Sequence, residues 1–214
     1  PYYYDGVLKW LARAGLLGFT VSGGNFRSQT ESYLRDNNLS VDLSGQQHDY
    51  DLAVTTSDLV VQNNIRGKPL VLIQEGMTDP EGLMYWLVKR AGLPRYLAST
   101  AATGLSDAYD YFCVASQGYR EHFIRKGVRP EKLIVTGIPN FDDIERYRYN
   151  SFPQRGFVLV ATSDARETFK IDNRLGFLRR CLSLAAGRPL IFKLHPNENV
   201  DRATREILSV ALEA

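Results

Sequence analysis

The chain has 214 residues, with 26 Lys and Arg against 24 Asp and Glu and a formal net charge of +2. That length suits one large domain or two modest ones, and the charge balance makes no case for nucleic acid or a polybasic membrane contact. With 44% apolar and 23% charged residues, disorder and fibrous repeats are excluded, and no apolar run approaches the roughly 20 residues that span a bilayer.

Cys113 and Cys181 lie inside apolar runs, with no CxxC and no second ligand cluster. Neither a disulfide framework nor a metal site is expected, and two buried thiols fit a reducing cytoplasm. The chain opens Pro1-Tyr2-Tyr3-Tyr4 and closes inside a helical pattern. Both ends read as cut, which makes the sequence a fragment.

The elements follow in chain order. Apolar Val7, Leu8, Leu11 and Ala14 predict a first helix ending at Gly15, where positive φ is tolerated. A short strand is expected around Phe19 to Val21. Ser28, with Glu31 three positions on, predicts the start of a second helix reaching Asn37. A strand, turn and strand are expected after Asn38.

From Asp51 onward short apolar runs alternate with helical segments. Four of these runs (51–56, 69–74, 110–115 and 132–136) predict strands, separated by helices at 81–91, 100–108 and 117–126, the last closing at Gly127. Continuous apolar runs suit strands covered on both faces of a parallel sheet, and the alternation implies right-handed βαβ units in a doubly wound sheet. Pro and Gly punctuation at 150–156 reads as a linker. The expected organisation is therefore a Rossmann-like domain over 1–150, its first strand missing, and the first half of a second over 151–214. That second domain has strands at 157–162 and 189–194, and helices at 173–186 and from 199 on.

Ligands of open α/β sheets bind beyond the carboxyl ends of the strands, which selects the βα loops. Glu75 follows an apolar strand and precedes Gly76, where partial burial suits a general acid or base. Asp58 is a second carboxylate candidate, although Thr56-Ser57-Asp58 also reads as a cap. Asp79, before Pro80, reads as the cap of the next helix. In the second domain, Ser163 and Arg166, with Lys170 one turn on, follow the first strand, and His195-Pro196-Asn197-Glu198 follows the second. Alternation puts Lys193 and His195 on one side, a cation and an imidazole fit to hold phosphate. His48 and His122 read as a polar turn and a helix face. GxxxxGK[ST] and GxGxxG are absent.

The runs Leu70-Val71-Leu72-Ile73-Gln74-Glu75-Gly76, Ser116 to Arg125 and Ile134 to Asp142 resemble the second half of the N-terminal domain of UDP-N-acetylglucosamine 2-epimerases and related GT-B proteins. Phe157 to Thr162 resembles the start of their nucleotide-binding domain, so the resemblance covers about residues 50 to 214. It implies a GT-B fold, Glu75 and Asp58 as catalytic carboxylates, and a nucleotide-activated sugar in a cleft between two domains. The epimerase His-Arg-Arg-Glu-Asn loop is replaced here by Ser163-Asp164-Ala165-Arg166-Glu167-Thr168, which keeps the Arg-Glu pair and lacks the His. Phe192-Lys193-Leu194-His195-Pro196 is instead similar to the His-Pro element of CDP-glycerol glycerophosphotransferases.

The resemblance therefore implies a cytoplasmic transferase of bacterial surface-polysaccharide synthesis. Glu75 and Asp58 would be catalytic, and Ser163, Arg166, Lys193, His195 and Glu198 would bind the nucleotide diphosphate. No metal or cofactor is needed beyond the donor. A 2-epimerase and a non-catalytic nucleotide-sugar-binding domain are the alternatives. Peripheral membrane contact and a homodimer stay open.

Overall fold

A computed structural model of the chain describes residues 5–17, 24–42, 45, 47–163 and 172–212. It divides into two compact units, Pro1–Asp143 and Ile144–Ala214, each a mixed α/β structure built on a parallel sheet. The Pro and Gly segment at 150–156 belongs to the second unit.

In the first unit β1 (Ala53–Thr55), β2 (Leu70–Ile73), β3 (Tyr111–Val114) and β4 (Leu133–Val135) form a parallel sheet in sequence order. Register pairs Leu72 with Thr55 and Phe112, and Val114 with Val135. The order does not reverse within these strands, so they do not themselves draw the expected doubly wound sheet. The β-branched and aromatic residues of the runs favour strand, and each strand is shorter than its run because the flanking residues turn into the βα loops.

The sheet is also less covered than continuous apolar runs predict. Leu70, Leu72, Phe112, Val114 and Leu133 face a core closed by Phe123 and Val128, with α4 (Gln117–Lys126) packed on β3 and β4. On the opposite face Val54, Tyr111 and Ile134 are exposed. An unbroken apolar run reports strand and not the coverage of either face.

Helices α1 (Gly6–Arg13) and α2 (Gly24–Asp36) precede the sheet. Gly15 has φ 73°, as expected past the end of α1. The expected strand at 19–21 lies outside the described residues. Ser28 is a correction: α2 begins four residues ahead of it, so it sits inside the helix. The strand, turn and strand expected after Asn38 are absent among the described residues. There Asp42 accepts from Gln47 N at 2.7 Å and from the Tyr50 hydroxyl at 3.1 Å, and these local side-chain bonds hold a loop.

Two further corrections concern the β2–β3 connection. Helix α3 (Leu83–Ala91) starts after Gly82, so Asp79 does not cap it. Instead Asp79 N donates to Thr100 Oγ1 at 2.9 Å, and that hydroxyl donates back to Asp79 Oδ2 at 2.8 Å. The helix expected at 100–108 is a 3-10 helix at Arg95–Ala102, broken at Ser99 by a φ of 48°. Its Ala98, Ala101 and Ala102 pack with Tyr85 and Val88 of α3. Small side chains allow this close approach, and tertiary contacts override local preference.

Lys126 of α4 is 2% exposed. Its Nζ donates to Thr103 O at 3.1 Å and lies 5.1 Å from the Phe123 ring centroid and 5.7 Å from that of Tyr85. Burial pushes its pKa down to about 8, against the nearby charges of Glu81 and Asp58. Between about 8 and the ordinary 10.5, the unfolded chain holds a proton that the folded chain has released, so stability rises with pH. Above about 10 the effect is opposed. Burial and the Asp58 charge hold the Tyr109 phenol protonated in the fold, while the unfolded tyrosine ionises. Urea unfolding at pH about 7.5 and about 9.5 is expected to show greater stability at the higher value, and Lys126→Met should remove most of that difference.

In the second unit β5 (Val158–Ala161) pairs in parallel with β6 (Leu190–Lys193), and Val160 lies opposite Phe192. Helix α5 (Arg174–Ala185) is capped by Asn173, whose side chain accepts from Gly176 N. It packs on α6 (Val200–Leu212). Val160, Leu178, Ala203 and Val210 are buried, and Leu159 on the other face is exposed.

Candidate functional site

At the carboxyl end of the first sheet Gln74 ties two strand ends together. Its Oε1 accepts from Ala115 N at 3.0 Å, past the end of β3, and its Nε2 donates to Gly76 O at 2.8 Å. This fixes the backbone on either side of Glu75, whose side chain is exposed. The partial burial expected of Glu75 is not found. Its carboxylate stands at the ligand end of the sheet, open to a substrate.

Asp58 is the opposite case. It is fully buried, Oδ1 accepts from Gly104 N at 3.0 Å, and Oδ2 accepts from Ser106 N at 3.0 Å. Its backbone O accepts from Arg95 Nε at 3.0 Å. Gly104 has φ 86°, and a Cβ there would stand 3.0 Å from both Phe112 and Val128, so the loop can bring its N–H to Asp58 only as glycine. Such a carboxylate has no face to offer a substrate. The catalytic expectation for Asp58 is therefore replaced by an anchoring role.

His122 of α4 comes close to the loop after β2, with its Nε2 3.4 Å from Thr78 Oγ1. Burial lowers its pKa, as do Lys126 and Arg125, while Glu81 opposes them, so the ring is neutral near pH 7. The sequence marks His122 as a helix-face residue. Its nearness to the strand-end loop comes from the packing of α4, and only the position of Ser116 as N-cap directly after β3 hints at it.

In the second unit the strand ends are tied by Glu198, a buried residue. Its Oε2 accepts from His195 N at 2.8 Å and from the Thr162 hydroxyl, and its Oε1 accepts from Arg174 Nη2 at 2.9 Å. The end of β5, the loop after β6 and the start of α5 thus meet on one carboxylate. Glu198 was expected to contact phosphate, and instead it holds the loop. His195 is half-buried, and its Nδ1 accepts from Asn197 N at 3.2 Å. That bond selects the tautomer with its proton on Nε2, a donor. Ser163 and Lys193 are exposed, and Arg166 and Lys170 lie outside the described residues.

Arg174 is the residue that the sequence reading missed. A signal for it exists: an arginine at the first position of a helix opposes the macrodipole, which calls for a carboxylate partner. An open groove of about 1010 Å³ lies across the bare face of β5 and β6, lined by Tyr149, Phe152, Phe157, Ile191 and Lys193 among others. Among the described residues no three His, Cys, Asp or Glu side chains converge where a metal ion could be held. Comparison of the chain with protein families, curated proteins and solved structures found no match.

Proposed function

We propose that the chain belongs to a GT-B-type enzyme that uses a nucleotide-activated sugar or polyol phosphate, as a transferase of surface-polysaccharide synthesis. The observation that carries this reading is the common device at the two sheet ends. In each unit one polar side chain, Gln74 or Glu198, ties the βα loops and leaves Glu75 or His195 at the edge where α/β sheets take ligands.

Glu75 takes the proton of the acceptor hydroxyl as its oxygen bonds to the donor's reacting atom and the bond to the leaving nucleotide breaks. Negative charge grows on the departing phosphate oxygen, and within the second unit His195 and the exposed Lys193 are the groups suited to bind phosphate. The transferase is favoured over the 2-epimerase because the buried Asp58 removes the second carboxylate that the epimerase resemblance implied.

Calorimetric titration with UDP- and CDP-linked donors, paired with an assay of released nucleotide, tests the reading. Glu75→Gln is expected to keep donor affinity and lower turnover by about 10²–10⁴-fold. His195→Ala should weaken nucleoside diphosphate binding about tenfold, the loss of one charge-assisted contact. Tight binding without turnover would leave a binding domain, and the absence of binding to either donor would end both readings.

A further inference from the structure

A carboxylate that transfers a proton must be held in place, and packing does not hold Glu75. Glu75, Gly76 and Met77 are all exposed, and a segment that buries so little opens locally at low cost. A reacting group displaced by about 1 Å can lose about 10²-fold in rate. The order of this loop therefore comes from polar ties on either side of Glu75.

On the near side Gln74 Nε2 donates to Gly76 O. On the far side two successive residues are gripped from two different elements. Thr78 Oγ1 lies 3.4 Å from Nε2 of His122 on α4. Asp79 and Thr100 exchange a reciprocal pair of bonds, at 2.9 Å from Asp79 N and 2.8 Å to its carboxylate.

The Thr100 grip comes with backbone strain. Ser99, directly before it, has φ 48° and ψ −148°, a conformation that glycine takes freely and other residues rarely adopt. Ala98 ahead of this kink and Ala101 and Ala102 after it are buried, while the Thr100 hydroxyl between them meets Asp79. Strain of this kind persists where the surroundings over-determine it, and it clusters at functional sites.

We infer that Thr100 and His122 are positioning residues, which grip Asp79 and Thr78 and so keep Glu75 in place at the ligand end of the sheet. Both act through the loop and not on the reacting atoms. The inference rests on the proposed role of Glu75 as the base.

The test uses the full chain with Thr100→Val and Thr78→Val, each paired with its serine counterpart, which keeps the hydroxyl. The lost bonds are only part-buried, so both valine variants are expected to fold. In Thr100→Val, hydrogen exchange across 75–79 should quicken at least about tenfold, with β3 and α4 unchanged. With whichever UDP- or CDP-linked donor the parent turns over, kcat of Thr100→Val should fall about 10-fold to 10²-fold, while calorimetry shows donor affinity unchanged. Thr78→Val should act in the same direction, and Thr100→Ser and Thr78→Ser should restore kcat. A merely structural clamp would lower the urea midpoint and leave kcat of the folded protein alone. Unchanged exchange at 75–79 in both valine variants overturns the inference. A parent that turns over beside valine variants of equal kcat overturns it alone, as does a kcat loss that follows donor affinity or that serine does not restore. A parent that releases nucleotide from neither donor ends the proposed function, and the inference falls with it.

Discussion

Asp58→Ala is expected to lower the stability of the first unit by about 3–5 kcal/mol, because it strands two buried N–H donors and removes a countercharge from a buried amine. The donors are Gly104 N and Ser106 N, each 3.0 Å from a carboxylate oxygen. The amine is Lys126, whose ammonium the Asp58 charge favours. Each orphaned donor costs about 1–3 kcal/mol, and the loop they belong to cannot refold around the loss, since Gly104 is wedged against Phe112 and Val128. Asp58→Asn keeps one acceptor oxygen and is expected to fall between. Trp10 and Trp86 both lie in the first unit, so tryptophan emission in urea reads this unit alone. In a Lys126→Met background Asp58→Ala should cost less, because the buried charge it leaves uncompensated is gone. A catalytic Asp58 gives a different result: Asp58→Asn would then stop turnover with the urea midpoint unmoved.

The role of Asp58 also shows where sequence reasoning stops. Its partners are 46 and 48 residues away, and a local window around Thr56-Ser57-Asp58 can offer only a cap or a catalytic group. The regular elements were legible because their causes are local. Six apolar runs became six strands, and α4 occupies 117–126 as expected, from its Ser116 cap to the left-handed Gly127. In the β2–β3 connection the misread elements are those governed by distant partners. Asp79 is taken from its helix by Thr100, and the segment from Arg95 is shaped by its packing on α3 and by the bond from Arg95 to Asp58 O. The same division holds at the candidate site. The position of Glu75 and His195 at strand ends follows from the strand pattern, whereas the exposure of Glu75, the approach of His122 to Thr78 and the burial of Glu198 depend on tertiary packing.

Glu198→Ala should be the most damaging single change in the second unit, at about 3–5 kcal/mol, the usual cost of removing one partner from a buried ion pair. The Arg174 and Glu198 side chains are 6% and 1% exposed and meet at 2.9 Å. Without the carboxylate, the acidic partner left to Arg174 among the described residues is Glu206, at the longer distance of 4.0 Å, and His195 N and the Thr162 hydroxyl lose their shared acceptor. Glu198→Gln retains an oxygen for one of these donors and should cost less. Both tryptophans belong to the first unit, so the loss should be read in far-ultraviolet circular dichroism and in hydrogen exchange of α5 and α6. His195→Ala removes the bond from Asn197 N but leaves the backbone N–H of this position on Glu198, and is expected to cost about 1 kcal/mol. The two variants therefore separate the parts of this loop: loss of Glu198 is expected to unfold the platform, while loss of His195 is expected to leave it folded and, on the proposed function, to weaken nucleoside diphosphate binding. A Glu198→Ala protein with parental stability and lost nucleotide binding would instead make Glu198 a ligand contact, and the anchoring role would be wrong.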